Sequence, residues 1–168
     1  MSERSPSPWA LSRNEAVWER RAHPASFWMR LSLVPLMGLV IWSRQWIDPG
    51  FLVLLLLLVV IAWVSERVFP PVSGAPSWAT RAGLGERLLS SGRRAADLPR
   101  GLIRALLAVG TIGTIVMVSG AILYDLGLAL GGVVVMLVAK LAAFDRLARA
   151  WSATAATDPE VEAWQRPH

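Results

Sequence analysis

The sequence predicts an all-α, polytopic integral membrane protein with four transmembrane helices. Apolar residues make up 54% of the 168 residues and charged residues only 17%, whereas soluble domains average about 45–50% and about 25%. The apolar residues also form long runs, such as 51–65 and 126–139. Runs of this length are typical of helices that cross a lipid bilayer. We therefore expect one membrane domain that covers residues 1–168.

The first expected span, 27–43, follows a polar segment, 1–26, in which a capping-box pattern predicts a short surface helix from Arg13. The apolar part of this span is short for a bilayer core of about 30 Å, so the side chains of Arg30 and Arg44 should extend to opposite interfaces. Tryptophans should anchor the first two spans at the membrane surface. They are Trp28, Trp42, Trp46 and Trp63.

A turn at 48–50 precedes the second expected span, 51–69, which is the most apolar stretch of the chain. The next segment, 70–100, is rich in proline and arginine and should lie outside the membrane. Within it, apolar residues at helical spacing between Trp78 and Leu89 predict an amphipathic helix at the membrane interface. An ordered loop is the alternative for this segment.

The third and fourth expected spans, 102–124 and 126–144, are separated by a very short turn and should form a helical hairpin. The helical pattern continues outward to Trp151, within a final cytoplasmic segment, 145–168. Small residues let helices approach closely. The glycines expected to serve this packing are Gly113, Gly120, Gly127 and Gly131.

The distribution of basic residues predicts the orientation, because lysine and arginine favour cytoplasmic loops. Residues 1–30 hold five basic residues, 67–104 hold seven and 140–168 hold four, whereas the outer loops hold only Arg44. Both termini and the arginine-rich loop should therefore face the cytoplasm. Arginine greatly outnumbers lysine and alanine is frequent, which suggests a GC-rich bacterial genome. Together with the expected spans, this composition predicts a multi-pass protein of the bacterial inner (plasma) membrane.

The sequence lacks the residues that several membrane chemistries need. It has no cysteine, which excludes thiolate metal sites and disulfide exchange. Its two histidines, His23 and His168, lie outside the expected spans, so they cannot hold a haem within the bundle. We expect no metal and no cofactor. The net charge of +5 fits a cytoplasmic face beside membrane lipids, mainly anionic ones, better than a nucleic-acid partner.

Candidate functional residues cluster at the expected cytoplasmic interface. The candidate acid–base residues are His23, Glu86 and Asp145, since histidine transfers protons near neutral pH and a carboxylate can orient it. Arginine and lysine bind phosphate. The candidate lipid or phosphate ligands are Arg30, Arg67, Arg81, Arg87, Lys140 and Arg146. The alternative is that the basic residues only extend to the interface while the carboxylates pair with neighbouring residues.

Several stretches of the chain form a pattern together: Trp18, Ala22–Arg30, Pro35, Trp42–Ile47, Phe69–Pro71, Trp78–Arg87, Lys140–Leu141 and Asp145–Arg146. With these motifs the chain resembles a family of uncharacterised small bacterial and archaeal four-span membrane proteins, catalogued as a domain of unknown function. The resemblance covers roughly residues 18–151. The chain departs from the family pattern by having His23–Pro24 where His-Ala-Asn-Pro is expected, and Ser65–Val68 where Asn-Pro-Arg is expected. The resemblance implies no activity.

The leading functional hypothesis is a non-enzymatic membrane protein that acts through lipid or protein contacts at its arginine-rich cytoplasmic face. A membrane-protein partner or a homo-oligomer would also fit this hypothesis. One alternative is an enzyme that acts on a lipid or isoprenoid head group at the same interface. A second alternative is a small transporter, although the sequence places no ionisable residue at the middle of a span.

Overall fold

The computed structural model describes residues 20, 22–69, 76–91 and 98–164, without the side chains of 65–67, and the regular structure in these ranges is helical, without strands. The surface helix predicted from Arg13 lies outside the described residues, apart from Arg20. In chain order the helices are α1 (Pro24–Ile47), α2 (Phe51–Val68), α3 (Trp78–Ser90), α4 (Arg100–Leu123), α5 (Leu126–Ala155) and α6 (Pro159–Ala163).

Three of these helices, α1, α4 and α5, are long and apolar enough to cross a membrane. The apolar stretch 51–64 of α2 is shorter, and α2 packs against α1. Leu52, Leu56 and Val59 of α2 are exposed, and an exposed apolar helix face is stable when lipid surrounds it. The structure therefore shows an all-helical protein of membrane-helix character.

Helices α4 and α5 form the hairpin that the sequence predicts. Tyr124 ends α4 in the left-handed region, at φ 57°, and the Asp125 amide donates to the carbonyl of Gly120 at 2.9 Å. The Asp125 carboxylate then accepts a hydrogen bond from the Leu128 amide at 3.0 Å and caps α5. Two residues thus close one helix and start the next, and the contacts of Gly120 with Ala129 and of Gly113 with Met136 show that the two helices run antiparallel.

Glycines allow α4 and α5 to pack backbone against backbone. A Cβ atom at Gly120 would lie 2.3 Å from the Ala129 nitrogen, and one at Gly113 would lie 2.6 Å from the Met136 nitrogen. On α5 the packing glycine is Gly132, where a Cβ would lie 2.3 Å from the Met117 nitrogen.

The packing predicted for Gly127 and Gly131 is corrected by this geometry. Both residues are exposed, a Cβ at Gly131 would meet no atom within 4 Å, and a Cβ at Gly127 would meet only the Asp125 side chain. The face that contacts α4 instead contains Gly132. One residue along a helix corresponds to about 100° of rotation, so adjacent glycines face different surroundings.

Arg44 joins α1 to the end of α4 at the hairpin turn. Its Nε donates to the Tyr124 hydroxyl at 2.9 Å, and its Nη2 donates to the Ile122 carbonyl. The guanidinium also lies 4.8 Å from the centroid of the Tyr124 ring. A cation at a helix C-terminus stabilises the exposed carbonyls there. Arg44 therefore has a structural role at the end of the molecule opposite to α3.

The other end of the molecule is built around the extension of α5. Here α3 and α6 pack on α5, and the buried residues Leu84, Leu88, Trp151 and Val161 form one apolar cluster. The predicted amphipathic helix is thus present as α3, and its apolar face packs against the other helices of this cluster. The expected final segment, 145–168, likewise continues as helix to Ala155 and then forms α6.

Substitution of two adjacent glycines by alanine tests the helix packing. Gly132→Ala should lower the free energy of unfolding by about 1–3 kcal/mol, because the new methyl group meets backbone atoms that cannot move aside. Gly131→Ala should leave it unchanged or raise it by up to about 1 kcal/mol, since alanine favours the helix. Thermal unfolding of the protein in detergent measures both. Equal effects of the two substitutions would contradict the described packing.

Candidate functional site

Three of the predicted polar residues meet in one cavity, which we call the polar pocket. It has a volume of about 240 Å³ and contains the side chains of Arg30, Glu86 and Lys140. Apolar side chains complete its wall: Phe27, Leu31, Leu107 and Phe144. The pocket therefore combines two cations and one carboxylate with an apolar lining.

Helical spacing explains how α1 and α5 contribute to the polar pocket. Phe27, Arg30 and Leu31 are three and four residues apart on α1, and Lys140 and Phe144 are four residues apart on α5. Residues at these spacings lie on one face of a helix. The rings of Phe27 and Phe144 pack edge to face, with centroids 4.8 Å apart. This aromatic contact between α1 and α5 keeps Arg30 and Lys140 on facing helices.

Helix α3 brings Glu86 to the pocket. The Ser77 hydroxyl caps α3 by accepting a hydrogen bond from the Thr80 amide at 3.2 Å. At Gly85 the helix touches α5 so closely that a Cβ would lie 2.3 Å from the Leu147 carbonyl oxygen. The neighbouring residue, Glu86, is thereby placed in the wall of the cavity that also contains Lys140. Lys140 lies two turns before Leu147 on α5.

Two of the charged groups of the polar pocket, those of Glu86 and Lys140, are not paired within the described part of the chain. Arg30 donates from Nε to the Ser26 carbonyl at 3.3 Å, within its own helix. Among the residues that the structure describes, neither Glu86 nor Lys140 has an ion-pair partner within 4.0 Å. Both charged groups are therefore available to a molecule that enters the cavity.

His23 lies outside the polar pocket and has a local structural role. It is the N-cap of α1, where its Nδ1 accepts a hydrogen bond from the Ala25 amide at 3.2 Å. Its ring stacks on Phe69, with centroids 5.2 Å apart. Pro24 follows at the first helical position, where a missing amide hydrogen costs nothing.

The remaining candidates with described side chains do not line the polar pocket, and two of them contact other residues. Asp145 pairs with Arg149 one turn along α5, at 2.7 Å, and Arg87 lies over the Trp164 ring at 4.4 Å. The Arg81 Nε atom is buried without a hydrogen-bond partner in the described part of the chain. Arg146 is exposed, and the Arg67 side chain is outside the described residues. Among the described residues, no hydrogen bond or ion pair joins His23, Glu86 and Asp145.

The tryptophans proposed as interfacial anchors have different surroundings. Trp28 stacks on Trp78 of α3 at 6.0 Å, and Trp42 packs edge to face on Tyr124 at 6.0 Å. Trp46 and Trp63 are among the exposed large apolar side chains. The first two therefore also contribute to packing between helices, at opposite ends of α1.

Sequence reasoning named the three polar residues of the pocket but missed its apolar wall. Phe144 could have been found from its spacing to Lys140 on one face of α5. Leu107 could not, because no pattern indicates which residue of α4 faces α1 and α5 at this depth. In the described ranges, no group of three His, Asp or Glu side chains is placed to hold a metal ion.

A family described as a family of unknown function (DUF6653) matches residues 6–167. Neither the curated proteins nor the solved structures include a match.

Two substitutions of His23 test its capping role. Asparagine is also a good N-cap residue, whereas alanine cannot accept the hydrogen bond. Both variants lose the ring contact with Phe69, so the difference between them isolates the cap. His23→Asn should be more stable than His23→Ala by about 1 kcal/mol in thermal unfolding. Equal stability would show that the cap contributes nothing.

Proposed function

The chain belongs to DUF6653, a family of unknown function, and we propose that it is a multi-pass membrane protein whose polar pocket binds the phosphate of a membrane phospholipid. The observation that carries this proposal is the presence of Arg30 and Lys140 on one cavity with apolar walls. Arginine and lysine side chains commonly bind phosphate, through hydrogen bonds strengthened by their charge. The apolar wall of the pocket can contact the part of the acyl chains nearest the head group.

The size of the pocket supports a head group as its occupant. Its volume of about 240 Å³ is below the roughly 300–1,000 Å³ of cavities that enclose a whole drug-sized ligand. A lipid can insert only its head group into such a cavity and leave its acyl chains in the bilayer. This arrangement needs no further space inside the helical bundle.

The depth of the pocket along α5 also supports a lipid. Lys140 lies 14 residues after Leu126, which corresponds to about 21 Å along the helix. With a bilayer core of about 30 Å, Lys140 starts within the core and can extend its ammonium to the interface. The pocket is therefore close to the level of the lipid phosphates.

The topology that we propose has four spans, α1, α2, α4 and α5, with both termini cytoplasmic in a bacterial inner (plasma) membrane. The basic residues support this orientation, because the outer turns hold only one of the 17, Arg44. In this orientation α3, α6 and the polar pocket all lie at the cytoplasmic side.

The enzyme and transporter alternatives have less support. General acid–base catalysis needs partners within hydrogen-bond reach, and among the described residues His23, Glu86 and Asp145 make no hydrogen bond to one another. A transporter usually needs an ionisable residue deep in the bundle. No charged residue occurs in 31–43, 51–64, 105–123 or 126–139.

Cysteine labelling tests the topology. The sequence has no native cysteine, so only the introduced cysteine reacts. Single cysteines replace the exposed residues Asp48, Asp125, Ser91 and Thr157. A membrane-impermeant maleimide should label the first two in intact cells, and the last two only after the cells are permeabilised. Labelling of Ser91→Cys in intact cells would contradict the proposed orientation.

Lipid titration followed by native mass spectrometry tests phosphate binding. Arg30→Gln and Lys140→Gln should each weaken binding of phosphatidylglycerol about tenfold, since each removes a charged hydrogen bond. Arg149→Gln removes an exposed cation outside the pocket and serves as the matched control. Unchanged affinity in both pocket variants, or the same loss in the control, would contradict the proposal.

A further inference from the structure

The carboxylate of Glu86 gives the polar pocket a feature that phosphate binding alone does not explain. A carboxylate beside a bound phosphate repels it, yet Glu86 lies on the same cavity as Arg30 and Lys140. Two cations and one anion complement a ligand that carries both a phosphate and a nearby cation. Resting on the phosphate binding proposed above, we infer that the pocket selects phospholipids whose head group bears a primary ammonium, with Glu86 as its acceptor.

Packing fixes the position of the Glu86 backbone beside the cavity, which favours selection of a head group. Gly85 fixes α3 against the backbone of α5 at Leu147, and Leu84 and Leu88 on either side are buried in the apolar cluster. Glu86 therefore cannot turn away from the cavity by a shift of its helix. A binding group held by packed elements keeps its geometry before the ligand arrives.

The unpaired carboxylate of Glu86 supports a ligand with a positive charge. Within the described ranges it makes no hydrogen bond and no ion pair. It is also only partly exposed, and a carboxylate that loses water without a partner is destabilised. An ammonium group supplies three donors and a compensating charge. A ligand with a phosphate alone would leave this carboxylate unpaired.

The chemistry also distinguishes a primary ammonium from a trimethylammonium. A trimethylammonium has no N–H and cannot donate to Glu86. It could bind only through its charge and through the Phe27 and Phe144 rings, and phenylalanine is not the strongest aromatic partner of a cation. We therefore commit to ethanolamine-type head groups, with choline-type head groups as a contrasting probe.

The experiment measures lipid binding by native mass spectrometry of the full chain. The probes are phosphatidylethanolamine, phosphatidylglycerol and phosphatidylcholine with the same acyl chains, and soluble phosphoethanolamine as a competitor. The wild-type protein should bind phosphatidylethanolamine about fivefold more tightly than either other lipid. Glu86→Gln should abolish this preference, and Glu86→Asp should keep part of it. Glu160→Gln, the same change outside the pocket, should leave it intact.

Each result decides between the two proposals. If wild-type protein binds all three lipids equally while Arg30→Gln weakens them all, the ammonium selectivity is wrong and phosphate binding stands. If neither Arg30→Gln nor Lys140→Gln weakens any lipid, both proposals are wrong. Competition by phosphoethanolamine at concentrations similar to the lipid would overturn a lipid source. If Glu86→Gln does not fold, the wild-type comparison of ethanolamine and choline lipids alone decides the selectivity.

Discussion

The length of α5 is the constraint on which the rest of the structure depends. Its 30 residues correspond to about 45 Å, which is about 15 Å more than the thickness of a bilayer core of about 30 Å. Along its first part, α5 packs on α4 through Gly113, Gly120 and Gly132. Along its last part, the same helix supports α3 and α6. The polar pocket forms where these two parts of α5 meet, and residues of α1, α3, α4 and α5 line it.

Much of this architecture could be predicted from the sequence, because lipid imposes strong patterns. Uninterrupted apolar runs located the apolar helices α1, α2, α4 and α5, and the periodicity beyond Phe144 indicated that the last of them continues to Trp151. The choice of packing glycine was not predictable in the same way. Gly127 and Gly131 have the appropriate spacing, but the adjacent Gly132 faces α4. Which face of a helix meets its neighbour depends on the tilt and rotation of both helices. The spacing of the glycines along α5 determines neither.

The candidate site shows a similar division. Arg30, Glu86 and Lys140 were named from residue type and position, together with residues that the structure places elsewhere. The local roles of His23 and Asp145 could be predicted from the sequence, since His23 precedes a proline and Asp145 precedes Arg149 by four residues. The contact of Arg87 with Trp164 was not, because it depends on how α6 folds back on α3. Long-range packing therefore decides which charged residues remain available to a ligand.

The most direct test of the central claim uses Lys140, the only lysine in the chain. Labelling with ¹⁵N-lysine gives one ammonium signal, and its dipolar dephasing by the ³¹P of the surrounding phospholipids reports contact with a lipid phosphate. Bound phosphate in the polar pocket predicts strong dephasing that weakens in Arg30→Gln, since both side chains hold the same group. The absence of dephasing, or dephasing that Arg30→Gln leaves unchanged, would contradict the account, because a lysine that merely extends to the interface does not depend on Arg30.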